Sequence, residues 1–356
     1  MVACITCISI TGLGFAQSDF KKVHAYLDSL TIQQQFSGFV LVAKKGKPVF
    51  QKDYGYADKD LKTPNTISTQ FCLSSTSKLF TGTAIVKLMQ EGKVSENDTI
   101  GTYINGLTYG SKITIRQLLT HTSGLGDFYE NPGFTFWGVK KCSDVVRFIA
   151  DQQLKFTPGE GVKYSTSGMI LLGAVIEEVS GLSFQQYLTE TFFVPLKMNH
   201  TTFVTYNYVQ YQPMEPSSYA IGYIKDSEGN IIIRKQPWDN PSEVVLSAGG
   251  IWSSAEDLLK FNNAVFGGKI LNKKFLQLMI TSKVHAEWPD TDFGYVWMNI
   301  HNNQPTHAVG HAGNAGGHHN TFYRYDKNAT TIILLTNYGF VDIFKISAEV
   351  EKNVIK

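Results

Sequence analysis

The chain has 356 residues, of which 43% are hydrophobic and 17% are charged, and its formal net charge is +2. This is the composition of a globular protein that is long enough for one large core or two packed regions. So small a net charge argues against nucleic acid or an anionic membrane surface as a partner.

The amino-terminal segment looks like an export signal. Residues 1–17 contain no charged side chain, and the mostly apolar run that ends at Ala16 closes on a small-x-small pattern suited to a signal peptidase. The run is too short to span a membrane, and no later run reaches the roughly 18 apolar residues of a span. We predict a removed signal and a periplasmic or secreted protein; a buried amino-terminal strand or helix is the alternative.

The next elements are a helix and a hairpin. Apolar residues recur at helical intervals from Ser18 to Gln34. The segments Phe39–Ala43 and Val49–Gln51 follow, separated by the turn sequence Lys-Lys-Gly-Lys. Apolar runs joined by a short glycine-containing turn predict a β-hairpin.

A possible nucleophile lies in Ser75-Thr76-Ser77-Lys78, where an apolar run passes into a helix-like segment. Residues three apart on a helix lie on one face, so the lysine can reach the serine. A lysine desolvated enough to be partly neutral could accept the serine proton. The spacing is common by chance, and the second copy, Ser18 to Lys21, is predicted to be a solvated helix start.

The middle of the chain, 71–289, is dominated by helical patterns, with Met169–Val179 followed by a C-capping Gly181 as a clear example. A turn-rich loop precedes this helix and contains Tyr164 beside a lysine. This tyrosine could shuttle a proton if positive neighbours lower its pKa. A packing tyrosine bonded to a backbone carbonyl is the alternative.

The last part returns to strands, predicted at Phe293–Ile300, Thr321–Tyr325 and Thr330–Thr336, and a helix at Phe344–Val354 closes the chain. Strands at both ends with helices between them predict one sheet assembled from the two termini, with a helical region inserted. We assign 18–70 and 290–356 to the sheet region and place a cleft between the two regions.

A glycine-rich segment, Gly310 to His318, precedes the strand at Thr321. Glycines let a substrate approach the backbone closely and leave amide N–H groups free to hold an oxyanion. His311 could place a donor or a partial positive charge beside the serine. No phosphate-loop pattern is present, and the adjacent histidines at 318 and 319 have no third ligand at metal spacing, so we predict a structural role for them.

Other arrangements fit less well. The sequence has no Gly-x-Ser-x-Gly elbow, no His-Glu-x-x-His helix and no Cys/His pattern typical of zinc. His121, Ser123 and Asp127 offer the residue types of a catalytic triad but lie very close together in sequence. Whether Cys72 and Cys142 pair stays open, with buried thiols as our expectation.

Taken together, these segments resemble the serine β-lactamase and penicillin-binding protein superfamily, in its class C-type branch of D-peptidases and esterases. The resemblance covers nearly the whole chain after residue 17. Its motifs are the nucleophile segment around Ser75, the structural segment Ile115–Leu125, Tyr164-Ser165-Thr166 in the Tyr-x-Asn place, Ser247–Ser253 beside the cleft, and His311-Ala312-Gly313 in the Lys/His-Thr-Gly place.

The resemblance implies an α+β fold, with helices on both faces of an antiparallel sheet and a mostly helical second region. It also implies acyl transfer through an acyl-enzyme on Ser75, with Lys78 and Tyr164 moving the proton and His311 beside them. Main-chain N–H groups of Ser75 and Asn314 would hold the oxyanion. A small-molecule or peptide substrate is implied, with no metal or other cofactor; the oligomeric state is left open.

Two departures bear on substrate choice. Thr166 replaces an asparagine whose amide contacts a substrate's acylamino group, and Ala312 replaces a hydroxyl residue that helps to hold a substrate carboxylate. We therefore expect a hydrolase of esters, amides or D-residue peptides, with Thr166, Ala312 and Gly313 at the substrate. The alternatives are a D-Ala-D-Ala carboxypeptidase or true β-lactamase, and a non-catalytic sensor or binding module.

Overall fold

The computed structural model describes residues 20–134, 138–203, 218–234, 246–301 and 307–355. The predicted signal segment, 1–17, lies outside the described residues and stays a prediction. The strands are β1 Gly38–Lys44, β2 Lys47–Tyr54, β3 Tyr56–Asp58, β4 Thr63–Pro64, β5 Phe71–Cys72, β6 Thr202–Phe203, β7 Tyr223–Lys225, β8 Ile231–Ile233, β9 Ile251–Ser253, β10 Val284–His285, β11 Thr291–Phe293, β12 Met298–Ile300, β13 Ala308–Ala315, β14 His318–Tyr325 and β15 Thr330–Thr336. The α-helices are α1 Lys21–Ile32, α2 Lys78–Gln90, α3 Ile115–Leu119, α4 Thr166–Ser180, α5 Phe184–Leu188, α6 Leu246–Gly249, α7 Ala255–Phe266, α8 Lys273–Ile280 and α9 Ile343–Val354.

One antiparallel sheet of eight strands draws on both ends of the chain. Its order is β10-β11-β12-β13-β14-β15-β1-β2, so the early hairpin is hydrogen-bonded to the late strand β15. The predicted hairpin turn is confirmed: Lys45 and Gly46 both have positive φ, 50° and 75°, as a two-residue turn between twisted strands requires. The sheet predicted from the two termini is therefore confirmed.

Helices cover both faces of this sheet. On one face, α1 and α9 pack over Val40, Val42 and Leu334. On the other face, Leu41 and Leu335 join a large core that includes α2, α4 and α7. Adjacent residues of one strand point to opposite faces, which explains why these strands are continuous hydrophobic runs.

Two sequence predictions need correction. The expected single strand Phe293–Ile300 is two strands, β11 and β12, because the chain folds back at Gly294, whose N–H donates to Trp297 O over 2.8 Å. Tyr295, Val296 and Trp297 in this turn are buried in the large core. The glycine-rich segment is itself a strand, β13, together with the turn into β14. Aromatic and β-branched composition does not reveal where a strand reverses.

Within the described part of the chain, no single helix is long and apolar enough to cross a bilayer. The bent pair Thr166–Ser180 and Phe184–Phe193 meets the length and composition test only in combination. Most of α4 is buried inside the large core, so its apolar character is explained by packing.

Candidate active site

Ser75 lies in a 3-10 turn, Ser74–Ser77, that leads directly into α2. Helix α2 is buried on nearly all sides, its polar residues Lys78, Thr81 and Thr83 included. Lys78 is the first residue of α2, and its Nζ lies 3.0 Å from Ser75 Oγ. The expected serine–lysine contact is present, and it is built on a rigid core element.

The environment of Lys78 favours its neutral form. The side chain is 2% exposed, and burial is the main cause that lowers its pKa to about 7, while the charge of Asp127 opposes this effect. Its Nζ also donates to Ala248 O over 2.6 Å. An amine held in this way can keep one N–H on the carbonyl and direct its lone pair at the serine hydroxyl.

Tyr164 is held in place by three successive backbone N–H groups. The N–H of Lys163 donates to the carbonyl oxygen of His121 over 2.9 Å, and the N–H of Ser165 donates to His121 Nδ1 over 3.2 Å. The N–H of Tyr164 itself donates to Glu287 Oε2 over 2.6 Å. The Tyr164 ring lies 4.6 Å from the His121 ring and 5.0 Å from Lys78 Nζ, and its hydroxyl is close enough to Ser75 for the serine to oppose the rise in the Tyr164 pKa.

Burial affects the hypotheses made for two of these groups. It raises the pKa of Tyr164, so the condition set for a proton shuttle, a pKa lowered by positive neighbours, is not met, and the neutral phenol can pass on a proton only while it accepts another. Burial, reinforced by the nearby Lys78 charge, lowers the pKa of His311 to about 3, so near neutral pH His311 does not carry a positive charge, the second of the two roles considered for it. In both cases desolvation of the charged form is the largest cause of the shift.

The tautomer of His311 follows from its contacts. Nδ1 lies 2.6 Å from Ala312 O, a carbonyl that can only accept, so Nδ1 carries the proton. Nε2 is then an acceptor, and it lies 3.5 Å from the Tyr164 hydroxyl. Ser75, Lys78, Tyr164 and His311 thus form one connected group around the serine.

Strand β13 approaches the nucleophile segment closely. A Cβ on Gly313 would lie 2.1 Å from Leu73 O, so only glycine fits there. Asn320 on β14 fastens the same segment, because its Nδ2 donates to Cys72 O and Leu73 O and its Oδ1 accepts from Thr76 Oγ1 over 2.6 Å. These contacts fix the distance between Ser75 and the edge of β13.

A cavity of about 690 Å³ opens at Ser75. Its lining includes Tyr164, His311, Ala312, Gly313 and Asn314, which the sequence analysis assigned to the site. Thr166 does not line this cavity: it is 8% exposed at the start of α4, and its N–H donates to Asp127 Oδ1 over 2.9 Å.

Sequence reasoning missed several positioning residues. His121 was set aside with Ser123 and Asp127, yet it holds the Tyr164 loop. A non-glycine residue at a positive φ, 57° for His121, is unusual, but the sequence carries no signal for it. Asn320 also gave no signal, because its partners are distant in sequence.

The two cysteines of the described chain are buried thiols, as expected. Cys142 Sγ lies 3.4 Å from Ser247 Oγ, and Cys72 Sγ lies 3.5 Å from Ser74 Oγ. Among the described residues, no group of three or more histidines, cysteines, aspartates or glutamates could hold a metal ion.

Comparison with known proteins places these observations in a family context. A family model described as Beta-lactamase matches residues 22–345. Penicillin-binding protein 4* of Bacillus subtilis (strain 168) is 29% identical over 331 residues, which are 90% of this chain and 72% of that protein.

Two solved structures share the fold. A penicillin-binding protein from Bacillus halodurans has a TM-score of 0.78 at 25% identity, over 92% of this chain and 98% of that one. The D-amino acid amidase from Ochrobactrum anthropi SV3, complexed with L-phenylalanine amide, has a TM-score of 0.81 at 24% identity, over 95% and 99% of the two chains. The arrangement of sheet and helices described above is therefore the β-lactamase/transpeptidase-like fold.

Proposed function

Because this chain belongs to the beta-lactamase family, we propose that it is a serine hydrolase that works through an acyl-enzyme on Ser75. The observation that carries the proposal is the 3.0 Å contact between Ser75 Oγ and a buried Lys78 whose pKa is lowered to about 7. A neutral amine at hydrogen-bond distance is what an alcohol nucleophile needs for activation.

The proposed acylation step moves one proton and exchanges one bond. Ser75 Oγ attacks the substrate carbonyl carbon while Lys78 Nζ accepts the hydroxyl proton. The main-chain N–H groups of Ser75 and Asn314, two residues that line the cavity, hold the oxyanion. The bond to the leaving group then breaks, and the proton passes from Lys78 through the Tyr164 hydroxyl to the departing oxygen or nitrogen. Water attacks the acyl-enzyme by the reverse route.

The residues around the serine favour esters, amides or D-residue peptides over β-lactams and D-Ala-D-Ala termini. Thr166 is not among the residues that line the cavity, and a threonine at this place offers no amide to an acylamino group. Neutral His311 and the methyl group of Ala312 offer little to a substrate carboxylate. A protein of the same fold is a D-amino acid amidase, so D-amino acid amides belong among the test substrates.

Covalent labelling tests the proposal. A fluorophosphonate probe should label the wild-type protein at Ser75, as located by peptide mapping, and Ser75→Ala should remove the label. Ser143→Ala, which changes an exposed serine outside the site, should label like the wild type. An unlabelled wild-type protein, or label retained in Ser75→Ala, would contradict a Ser75 nucleophile and favour the non-catalytic sensor.

Two further variants test the proton transfer. Lys78→Ala and Tyr164→Phe should each slow acylation by about 10²- to 10⁴-fold, the usual contribution of a general acid or base. Circular dichroism and thermal unfolding should show that both variants fold. Acylation at the wild-type rate in either one would refute the role given to that residue.

A substrate panel of aryl esters, D-amino acid amides, D-Ala-D-Ala peptides and a chromogenic cephalosporin then separates the esterase or amidase from the carboxypeptidase and the β-lactamase.

A further inference from the structure

The cavity at Ser75 continues well beyond the reacting groups. Pairing between β12 and β13 ends at Met298 and Gly310, so beyond Gly310 that side of β13 pairs with no strand among the described residues. From this edge the cavity runs toward α9, which contributes Ile343, Phe344 and Glu351 to its wall. We call this part the α9 arm.

The α9 arm is suited to an apolar group. Its wall includes Met298, Ile300 and Tyr323, in addition to the side chains from α9. Two large apolar side chains of the cavity wall are left in water: Trp288 is 41% exposed and Phe344 is 60% exposed. Exposed aromatic side chains beside a cavity gain free energy when a ligand covers them, since apolar area leaves water.

The same arm is unsuited to an anion. Among the described residues, no lysine or arginine lines the cavity, and the acidic side chain of Glu351 does. On the β13 side, Ala312 has no hydroxyl group, and His311 is neutral with its Nδ1–H directed at Ala312 O. The polar side chains on this wall are already engaged: Ser347 Oγ donates to Glu351 Oε1, Thr291 Oγ1 donates to Pro289 O, and His319 Nδ1 lies 2.9 Å from Val341 O. A carboxylate placed here would therefore lose its water without gaining a cation.

The position of Tyr164 indicates which part of the substrate enters the arm. In the proposed acylation, the leaving group receives its proton from the Tyr164 hydroxyl. That hydroxyl lies 3.5 Å from His311 Nε2, where β13 forms the wall of the arm. The departing oxygen or nitrogen must lie close to this hydroxyl, so the group attached to it extends along β13 into the α9 arm.

We propose that the α9 arm is a leaving-group subsite that selects substrates whose departing alcohol or amine is neutral and hydrophobic, aromatic groups included. This inference rests on the proposed function and adds a substrate class to it. The C–O or C–N bond that breaks joins the acyl group on Ser75 to this apolar portion, which leaves as the protonated alcohol or amine.

Matched acetate esters test the subsite in the full chain. Methyl 4-acetoxybenzoate and 4-acetoxybenzoate share an acyl group and differ in the charge of the leaving phenol. After each kcat/KM is divided by that ester's own rate of alkaline hydrolysis, the neutral ester should exceed the anionic one by about tenfold or more. Equal normalised values would overturn the proposal.

Variants at the mouth of the arm sharpen the test. Phe344→Ser should lower kcat/KM for the neutral ester about fivefold, and Phe344→Arg should narrow or reverse the preference by offering a cation to the carboxylate. Leu61→Ser is the matched control, because Leu61 is 71% exposed and does not line the cavity. It should change neither value.

Separate measurement of the acylation and deacylation rates shows which part of the substrate occupies the α9 arm. Both esters give the same acetyl-enzyme, so Phe344→Ser should leave the deacylation rate unchanged in burst kinetics. A changed deacylation rate with unchanged acylation would place the acyl group in the arm and overturn the proposal. If the protein hydrolyses both esters with equal normalised kcat/KM, the leaving-group subsite is contradicted and the proposed function is not. If neither the esters nor the fluorophosphonate probe reacts at Ser75, the proposed function fails, and the subsite with it.

Discussion

At the scale of single residues, the site depends on one buried amine. Lys78 is 2% exposed, and the charge of Asp127 acts to raise its pKa. Desolvation is the larger effect and lowers the pKa to about 7. The consequence is a lysine that is substantially neutral near physiological pH and can accept a proton from an alcohol.

The pH dependence of acylation follows from this pKa. Lys78 accepts a proton only in its neutral form, so kcat/KM should rise with pH, with a midpoint near 7, and level off above it. His311, with a pKa lowered to about 3, should contribute no limb between pH 5 and 9. Stopped-flow acylation between pH 5 and 9 checks both statements. A rate that is independent of pH throughout that range would contradict the assignment of Lys78 as the base.

His121 is a positioning residue whose effect should be separable from proton transfer. His121→Ala removes the acceptor for Ser165 N–H and the ring beside Tyr164, so kcat should fall about 10- to 100-fold. In His121→Asn, an amide oxygen can accept the same N–H, and asparagine tolerates the positive φ. Compared with His121→Ala, the His121→Asn variant should therefore recover more of the wild-type stability, measured by thermal unfolding, than of the wild-type activity. The midpoint of the pH profile should stay near 7 in both; a displaced midpoint would mean that His121 takes part in proton transfer.

At the scale of elements, the site is the junction of α2 with the edge of β13. Helix α2 is fixed by the core around it, and Asn320 on β14 ties the segment before it to the sheet. The loop of Tyr164 is held by His121 and Glu287. The nucleophile segment and the Tyr164 loop are thus each bonded to residues distant in sequence, which keeps the groups of the site at fixed separations.

A substitution at Gly313 tests how closely β13 must approach the nucleophile segment. In Gly313→Ala the new methyl group would lie 2.1 Å from Leu73 O, so β13 must move away from the nucleophile segment. We expect kcat/KM to fall about 10²-fold, the effect of a misplacement near 1 Å. Gly168→Ala is the control, because its Cβ would meet nothing closer than 3.4 Å. Full activity in Gly313→Ala would show that the close approach is not needed.

At the scale of the whole molecule, the sheet joins two cores. Leu334 and Leu335 are neighbours on β15, yet Leu334 packs toward α1 and α9 and Leu335 toward the large core. Because β1, from the early part of the chain, pairs with β15 and β2, neither core is complete without both ends of the chain.

This arrangement predicts a single cooperative unit. Leu334→Ala and Leu335→Ala each empty a fully buried position, so each should lower the free energy of unfolding by about 2–5 kcal/mol. Both should shift one common transition in calorimetry, while Leu61→Ala, at an exposed position, should leave it in place. Two separate transitions, with each variant shifting only one of them, would instead show that the sheet and helical regions unfold independently.

Short sequence patterns were enough to predict several of these features. The Ser75–Lys78 spacing, the hairpin turn at Lys45 and Gly46, and the run that forms β15 were all predicted, because each depends on residues a few positions apart. The strand reversal at Gly294 was missed, since burial of the turn residues in the large core decides it. The effect of burial on the pKa values of Tyr164 and His311 could not be predicted for a similar reason: the sequence shows which charged residues are present but not how deeply a group is buried.

The sequence alone therefore determined which chemical groups are present and which short segments hold them: a hydroxyl with an amine three residues on, a tyrosine loop, and a glycine-rich strand. The tertiary structure alone decided how those groups act. It placed the Tyr164 loop against His121, left Thr166 outside the lining of the cavity, and formed the α9 arm between β13 and the last helix. The physical reason is that desolvation and cavity shape depend on contacts between segments far apart in the chain, which local patterns do not encode.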